Sequence, residues 1–278
     1  MSLKLAPLLV MVLALTACAT RQQQPTTRAP AVAFVGVTVC PMTDGHAVLR
    51  NQTVVVRDGR IAALGPASRV SIPKEAMQID GRGKYLIPGL ADMHVHLEHV
   101  PDPDVLKLFL AHGVTTVRNM DGRPNILEWR DSVRAGRLIG PEIITAGPII
   151  DGSPPLRDDN LAIADPIQAA DAVRKQQAAG YDFVKVYTNL SPAAYRAVLA
   201  TAQALRMPVA GHIPRGVGMD EAAKGHRSIE HLADLGRDLD ARPAEQANKW
   251  HWSKLFLGIP IAEEKLQRTA AVLANADT

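Results

Sequence analysis

The sequence predicts an α/β fold, a (β/α)₈ barrel preceded by a small β-rich domain, and three observations predict it. Beyond Pro88, short apolar strands alternate with single helices, which implies parallel βα units. A run of six such strands favours a barrel over an open doubly wound sheet, whose glycine-rich nucleotide-binding turn the chain lacks. The polar residues that interrupt these strands fall near their C-terminal ends, where a barrel places its chemistry.

With 278 residues and 47% hydrophobic content, the chain can bury a substantial core as one large domain or two smaller ones. Its formal charge of +3 comes from Lys and Arg dispersed among Asp and Glu, and aromatic residues make up only 4%. No basic stripe and few stacking surfaces result, so a nucleic-acid partner is excluded.

Residues 1–17 read as an export signal, with Lys4 ahead of an apolar run from Leu5 to Leu15 that is too short to span a membrane. The stretch Leu15-Thr-Ala-Cys18 resembles the bacterial lipobox. That resemblance implies cleavage before Cys18, lipidation of its thiol, and an exported lipoprotein of the cell envelope, at the outer membrane or the periplasmic face of a Gram-negative cell. Cys40 is then the one thiol left, which rules out an intramolecular disulfide. Residues 18–30 are polar and Pro-containing with nothing to bury, and predict a flexible tether.

Residues 31–87 carry β-like runs at Ala33–Val39, Gln52–Arg57 and Arg60–Leu64, with turns at Asp44-Gly45 and Asp58-Gly59. Residues 88–278 carry the candidate strands Ala91–Leu97, Val114–Asn119, Glu142–Ala146, Phe183–Tyr187, Pro208–His212 and Ser228–Leu232. Helices between them are punctuated by Asp165-Pro166 and Ser191-Pro192, each an N-cap followed by Pro at the first helical position, and by Gly113, Gly180 and Gly225 at helix ends.

His94 and His96 stand two apart on the first of these strands, so both imidazoles leave one face as a chelating pair. Lys185, His212 and His231 lie at the ends of three further strands. Flanked by Phe183, Val184 and Val186, Lys185 is costly as a bare ammonium ion, and a lysine of lowered pKa can react with CO₂ to form a carbamate. A lone strand-end His is also readily a hydrogen-bonded core residue, and Lys185 could simply pair with an acid. Five such residues on four strands at matching ends argue for a site. His46, His99, His112 and His226 have ordinary loop, helix-end and strand-edge readings, and Trp250-His251-Trp252 reads as a packed amphipathic segment.

The ordered set Ile87-Pro-Gly-Leu-Ala-Asp-Met-His94-Val-His96, Gly113-Val-Thr-Thr-Val-Arg118, Val184-Lys185-Val-Tyr187, Gly211-His212 and Ser228-Ile-Glu-His231 resembles the amidohydrolase superfamily, in its imidazolonepropionase-like and prolidase-like branch. The resemblance runs from about Ala31 to the end of the chain and implies a β-sandwich beside a (β/α)₈ TIM barrel. It further implies two divalent metal ions, usually zinc: His94 and His96 hold one, His212 and His231 the other, and Lys185 carboxylated by CO₂ bridges them. A hydroxide shared by the metals would attack the carbonyl of a small amide or dipeptide, Xaa-Pro among them. Tyr187, two residues past Lys185 on the same strand face, reads equally as a substrate contact and as a buried core residue. Lactones, cyclic amides and phosphotriesters fall within the same superfamily's range, and an oligomer is left open.

The resemblance breaks off towards the C-terminus. The family uses an Asp at the end of the eighth strand as ligand and proton shuttle, and none of Asp234, Asp238, Asp240 or Asp277 can be placed on such a strand. The chain as given is therefore expected to be inactive, a C-terminally truncated form or a non-catalytic envelope lipoprotein retaining part of the metal shell.

Overall fold

The computed structural model describes residues 30–43, 45, 47–242 and 261–276. Cys18 with its lipobox, most of the tether, Asp44, His46, Trp250-His251-Trp252 and Asp277 lie outside the described residues. The chain forms two compact units, Met1–Pro88 and Gly89–Thr278. No helix among the described residues is long and apolar enough to cross a membrane.

The first unit is built on β1 (Val32–Val39), β2 (Leu49–Arg57), β3 (Arg60–Pro66), β4 (Met77–Asp80) and β5 (Tyr85–Leu86). They form one mixed sheet in the order β3-β2-β1-β4, with β5 pairing the second half of β1. The β2–β3 hairpin turns through Asp58 (φ 52°) and Gly59 (φ 72°), the two positive values that a two-residue turn matched to strand twist requires. On β1, Gly36 is an extra residue between the Val35–Thr53 and Val37–Gln52 pairs. This bulge resets the pleat, so Ala33 joins one apolar cluster with Val55 while Val37 and Val39 join another with Val54. Among the described residues this unit contains a single sheet, and the expected sandwich partner layer is not among them.

The second unit alternates as the punctuation predicts. It runs through β6 (Leu90–Val95), α1 (Val105–Ala111), β7 (Val114–Asn119), α2 (Pro124–Arg134), β8 (Glu142–Thr145), β9 (Ile150–Gly152), β10 (Leu161–Ile163), α3 (Pro166–Ala179), β11 (Val184–Val186), α4 (Pro192–Leu205), β12 (Val209–Gly211), α5 (Met219–Gly225), β13 (Ser228–Ile229), α6 (Leu232–Leu239) and α7 (Glu263–Ala274). Asp165 caps α3 by accepting from the Ile167 and Gln168 amides at 2.8 Å, and Ser191 caps α4 through the Ala194 amide at 3.2 Å. Gly180 closes α3 in the left-handed conformation at φ 87°.

Every strand pair here is parallel. The orders are β6-β7-β8 and β10-β9-β11-β12-β13, and a single parallel bridge, Ala146 to Phe183, links the two sheets. All six expected strands are present, and the described residues do not close a barrel. The first strand stops earlier than expected: Leu97 donates its amide to the Asn119 side chain at 2.8 Å instead of extending the ladder, and Leu97–His99 coils as a short 3₁₀ turn.

Strands β9 and β10 are not foreseen by the sequence pattern. Each is three residues long, and β9 has the charged Asp151 at its centre. That fully buried carboxylate organises the segment by accepting from the amides of Gly152 (2.9 Å), Leu156 (2.6 Å) and Asn189 (2.8 Å) and from the Asn160 side chain (3.1 Å).

Candidate metal centre

Strand alternation decides which side chains meet. Val184 and Val186 pack into the apolar cluster formed with Ala169, Val173, Tyr195 and Val198 of α3 and α4. Lys185 between them must leave by the opposite face, where it is 1% exposed. His212 follows β12 directly, because Gly211 brings that strand so close to β11 that a Cβ at residue 211 would stand 2.2 Å from the Val186 carbonyl oxygen. After β13 the backbone turns sharply at His231, a non-glycine residue at φ 67°. Such strain persists where the surroundings fix it, and here it carries the imidazole towards the other histidines.

Four of the predicted ligands therefore meet as rings. The centroid of His94 lies 5.4 Å from that of His96 and 4.6 Å from that of His231, and His231 lies 5.0 Å from His212. Tyr187 packs edge-on against His212 at 4.2 Å. Burial pushes Lys185 down to about 8, opposed by the charges of Glu230 and Asp234 and helped by Arg118. Burial, then the proximity of His212, His94 and Lys185, drives His231 down to about 4. His212 is also lowered by burial, against the pull of its Asp234 hydrogen bond. Near neutral pH His212 and His231 are thus uncharged, as metal ligation requires.

Sequence reasoning missed the carboxylates behind these rings. Glu230 Oε2 lies 2.7 Å from His94 Nδ1, Glu98 Oε1 lies 2.6 Å from His96 Nδ1, and Asp234 Oδ2 lies 3.2 Å from His212 Nδ1. Three imidazoles each bound through Nδ1 to an acid have Nε2 left for another partner, which is the arrangement that orients histidine on a metal. The sequence holds the clue as His96-x-Glu98 and Glu230-His231, but only the backbone turns at Leu97 and His231 reveal which ring each acid serves. Asp234, read as a loop acid, is held on His212 by the Ile213 amide at 3.1 Å and by Arg237 at 3.3 Å.

One group of possible donors whose atoms all lie within 4.8 Å of one another is His96, Glu98 and His99; His94, Lys185, His212 and His231 are outside it. Its closeness is partly the His96–Glu98 hydrogen bond itself, and Arg157 stands 3.4 Å from His99 Nε2, which disfavours a second cation there. A cavity of about 1220 Å³ lies elsewhere, beside α4, α5 and α7, and none of the ring cluster lines it. The buried His226 does, and His112 is tied to the Leu108 carbonyl at 2.8 Å, an ordinary helix-end role. The donor set of the ring cluster, four imidazoles and a buried lysine of depressed pKa, fits a divalent metal ion.

No family model matches the chain. In sequence it is 33% identical over 72 residues to an adenine deaminase of Ruegeria sp. (strain TM1040), a match covering 25% of this chain and 12% of that protein. It is 43% identical over 65 residues to an imidazolonepropionase of Ralstonia nicotianae (strain ATCC BAA-1114 / GMI1000), covering 22% and 15%. The chain thus spans only a small part of the length of these curated relatives. Its fold is like that of a Xaa-Pro dipeptidase solved with methionine bound in the active site, with a TM-score of 0.61, 23% identity, and coverage of 73% of this chain and 62% of that one. The strand-end histidines and Lys185 among parallel βα units agree with these relatives, and the chain is similar to proteins of the amidohydrolase superfamily.

Proposed function

We propose that this chain contributes the metal-binding half of a hydrolase acting on C–N bonds of small substrates, with dipeptides, Xaa-Pro among them, the favoured class. The observation that carries the reading is the convergence of the His94, His96, His212 and His231 rings, with the charge of the buried Lys185 felt by His212 and His231. His94, His96, His212 and His231 would hold two divalent ions, with zinc the first choice and Lys185 bridging them as a carbamate. Bound there, the ions supply Lewis acidity to polarise a scissile carbonyl and acidify water.

The residues prepare that chemistry in separate ways. Burial lowers Lys185 and so raises its free-amine fraction, the form that adds to CO₂ with loss of one proton. The Nδ1-bound acids fix the rings. Tyr187, packed on His212 and within reach of Arg157, faces substrate. This reading takes the second unit as part of a (β/α)₈ barrel and the first as one layer of a β-sandwich. It also takes the mature protein as an exported lipoprotein anchored through Cys18; mass spectrometry of a mature N-terminus beginning at any other residue removes that part.

The function is tested with zinc-loaded protein and a panel of dipeptides that includes Xaa-Pro. Zinc-dependent release of free amino acids, lost on chelation, is the expected result for a form extended through an eighth strand that carries the Asp, with little or none from the chain as given. Zinc binding by the extended form without turnover of any dipeptide, cyclic amide or lactone would overturn the hydrolase reading.

A further inference from the structure

We propose that Arg118 and Ser228 form a polarity lock on His94, occupying one oxygen of Glu230 with donors so that the other must accept the His94 Nδ1 proton and Nε2 is left free for a metal ion. The inference rests on reading His94 as a ligand. Arg118, on β7, has donors and no acceptor. It gives Nε to the Met93 carbonyl at 2.7 Å, one terminal nitrogen to Ser228 Oγ at 2.8 Å, and the other to Glu230 Oε1 at 2.5 Å, with its cation 5.9 Å from the centre of the Phe183 ring. Because Ser228 Oγ accepts from Arg118, its own proton is free to go to Glu230 Oε1, 2.7 Å away.

Every hydrogen in this chain then has one direction. Glu230 Oε1 takes the Arg118 guanidinium and the Ser228 hydroxyl together, and an acid paired with a permanent cation in this way is a carboxylate. An ionised carboxylate cannot donate, so the 2.7 Å contact from Oε2 to His94 Nδ1 requires the proton on nitrogen. The same network joins β6 and β7 to the segment after β13, elements between which no backbone ladder runs. Arg118 and Ser228 are thus positioning residues, acting on His94 through Glu230.

Glu230→Gln tests the lock with an isostere. Arg118 can still only donate, so the amide oxygen must face it and the NH₂ must face His94 Nδ1, which becomes an acceptor. The His94 proton moves to Nε2. Nitrogen-15 correlation spectra of the metal-free protein, with His94 assigned by its loss in His94→Asn, should show the Nδ1–H tautomer in wild type and the Nε2–H tautomer in Glu230→Gln. Zinc affinity of the variant should fall on the order of 10–100-fold. Adding Arg118→Met releases the amide to turn over, so the double variant should regain the Nδ1–H form and part of the affinity, a rescue that no merely structural role produces.

An unchanged tautomer in Glu230→Gln, or a double variant no better than the single one, overturns the lock. Should Glu230→Gln not fold, judged by circular dichroism, Glu230→Leu carries the test: without an acceptor His94 must populate both tautomers, and pure Nδ1–H overturns the proposal. A wild type that binds no zinc but switches tautomer as described keeps the lock and removes the metal reading, so the two failures are distinct.

Discussion

Two histidine groups lie side by side and differ in what their lone pairs are doing. In His96, Glu98 and His99 the donor atoms are close, but Glu98 Oε1 already faces His96 Nδ1 at 2.6 Å and His99 Nε2 at 3.3 Å, with the Arg157 cation beside His99. In His94, His212 and His231 the rings pack within about 5 Å of a neighbour, while the acids of His94 and His212 sit behind them on Nδ1. Closeness of donors is therefore a poor guide to a metal site. Free lone pairs on neutral, oriented rings are a better one. His96 belongs to both groups, bound to Glu98 on one side and facing His94 on the other.

The largest effect should come from the inner group's buried lysine. If the proposed two-ion site holds, Lys185→Ala should drop bound zinc by more than half, read by elemental analysis. Equal metal content in the two proteins would erase the distinction between the groups.

Asp234→Asn comes next, because His212 loses its charged acceptor while its ring stays in place. Competition with a chromophoric chelator should give zinc binding weaker by roughly 10–100-fold. An unchanged constant would mean that the acid behind the ring does nothing for ligation.

A third kind of histidine sharpens the comparison. His226 is 5% exposed, has no hydrogen-bond partner of normal geometry at either ring nitrogen, and is pushed by burial down from 6.5 to about 4. A histidine lowered in the folded state contributes full stability above its unfolded value and loses it as pH falls from about 6.5 through 4. The fully developed loss is on the order of 3 kcal/mol. Thermal melts of wild type and His226→Phe between pH 7 and about 4 should differ in slope, with the variant's curve the flatter. Parallel curves would count against an uncharged buried ring.

The smallest effect belongs to the outer group. His99→Ala should leave zinc content at the wild-type level, and a lost ion would make His96, Glu98 and His99 a site after all.

Much of this was legible because the chemistry is written in short-range signals. Asp165-Pro166 and Ser191-Pro192 encode caps, Asp58-Gly59 encodes a hairpin turn, and the alternation Val184-Lys185-Val186 encodes which face the lysine takes. The acids behind the rings were not legible, since Glu230 reaches His94 across 136 positions and Asp234 reaches His212 only through the helical turn that begins at Leu232. Strands β9 and β10 escaped for a related reason: their pattern is set by the long-range bonds of Asp151 and not by hydrophobic alternation. The Gly36 bulge likewise depends on pairing with β2, which no local residue announces.

The hub at Asp151 has a consequence for how such a chain could be altered by recombination. Residues 152–160 are fastened at both ends to one carboxylate, which is also bonded to the amide of Asn189 beyond β11. The segment between these anchors behaves as an exchangeable cassette, whose length and side chains can vary while Asp151 and Asn189 stay fixed. Because Arg157, beside Tyr187 and His99, is carried on this cassette, a transplant from a relative would swap what meets the incoming molecule while the histidines and Lys185 stay where they are. A chimaera that melts like the parent would establish this modularity, and one that unfolds on exchange would show the segment to be part of the scaffold.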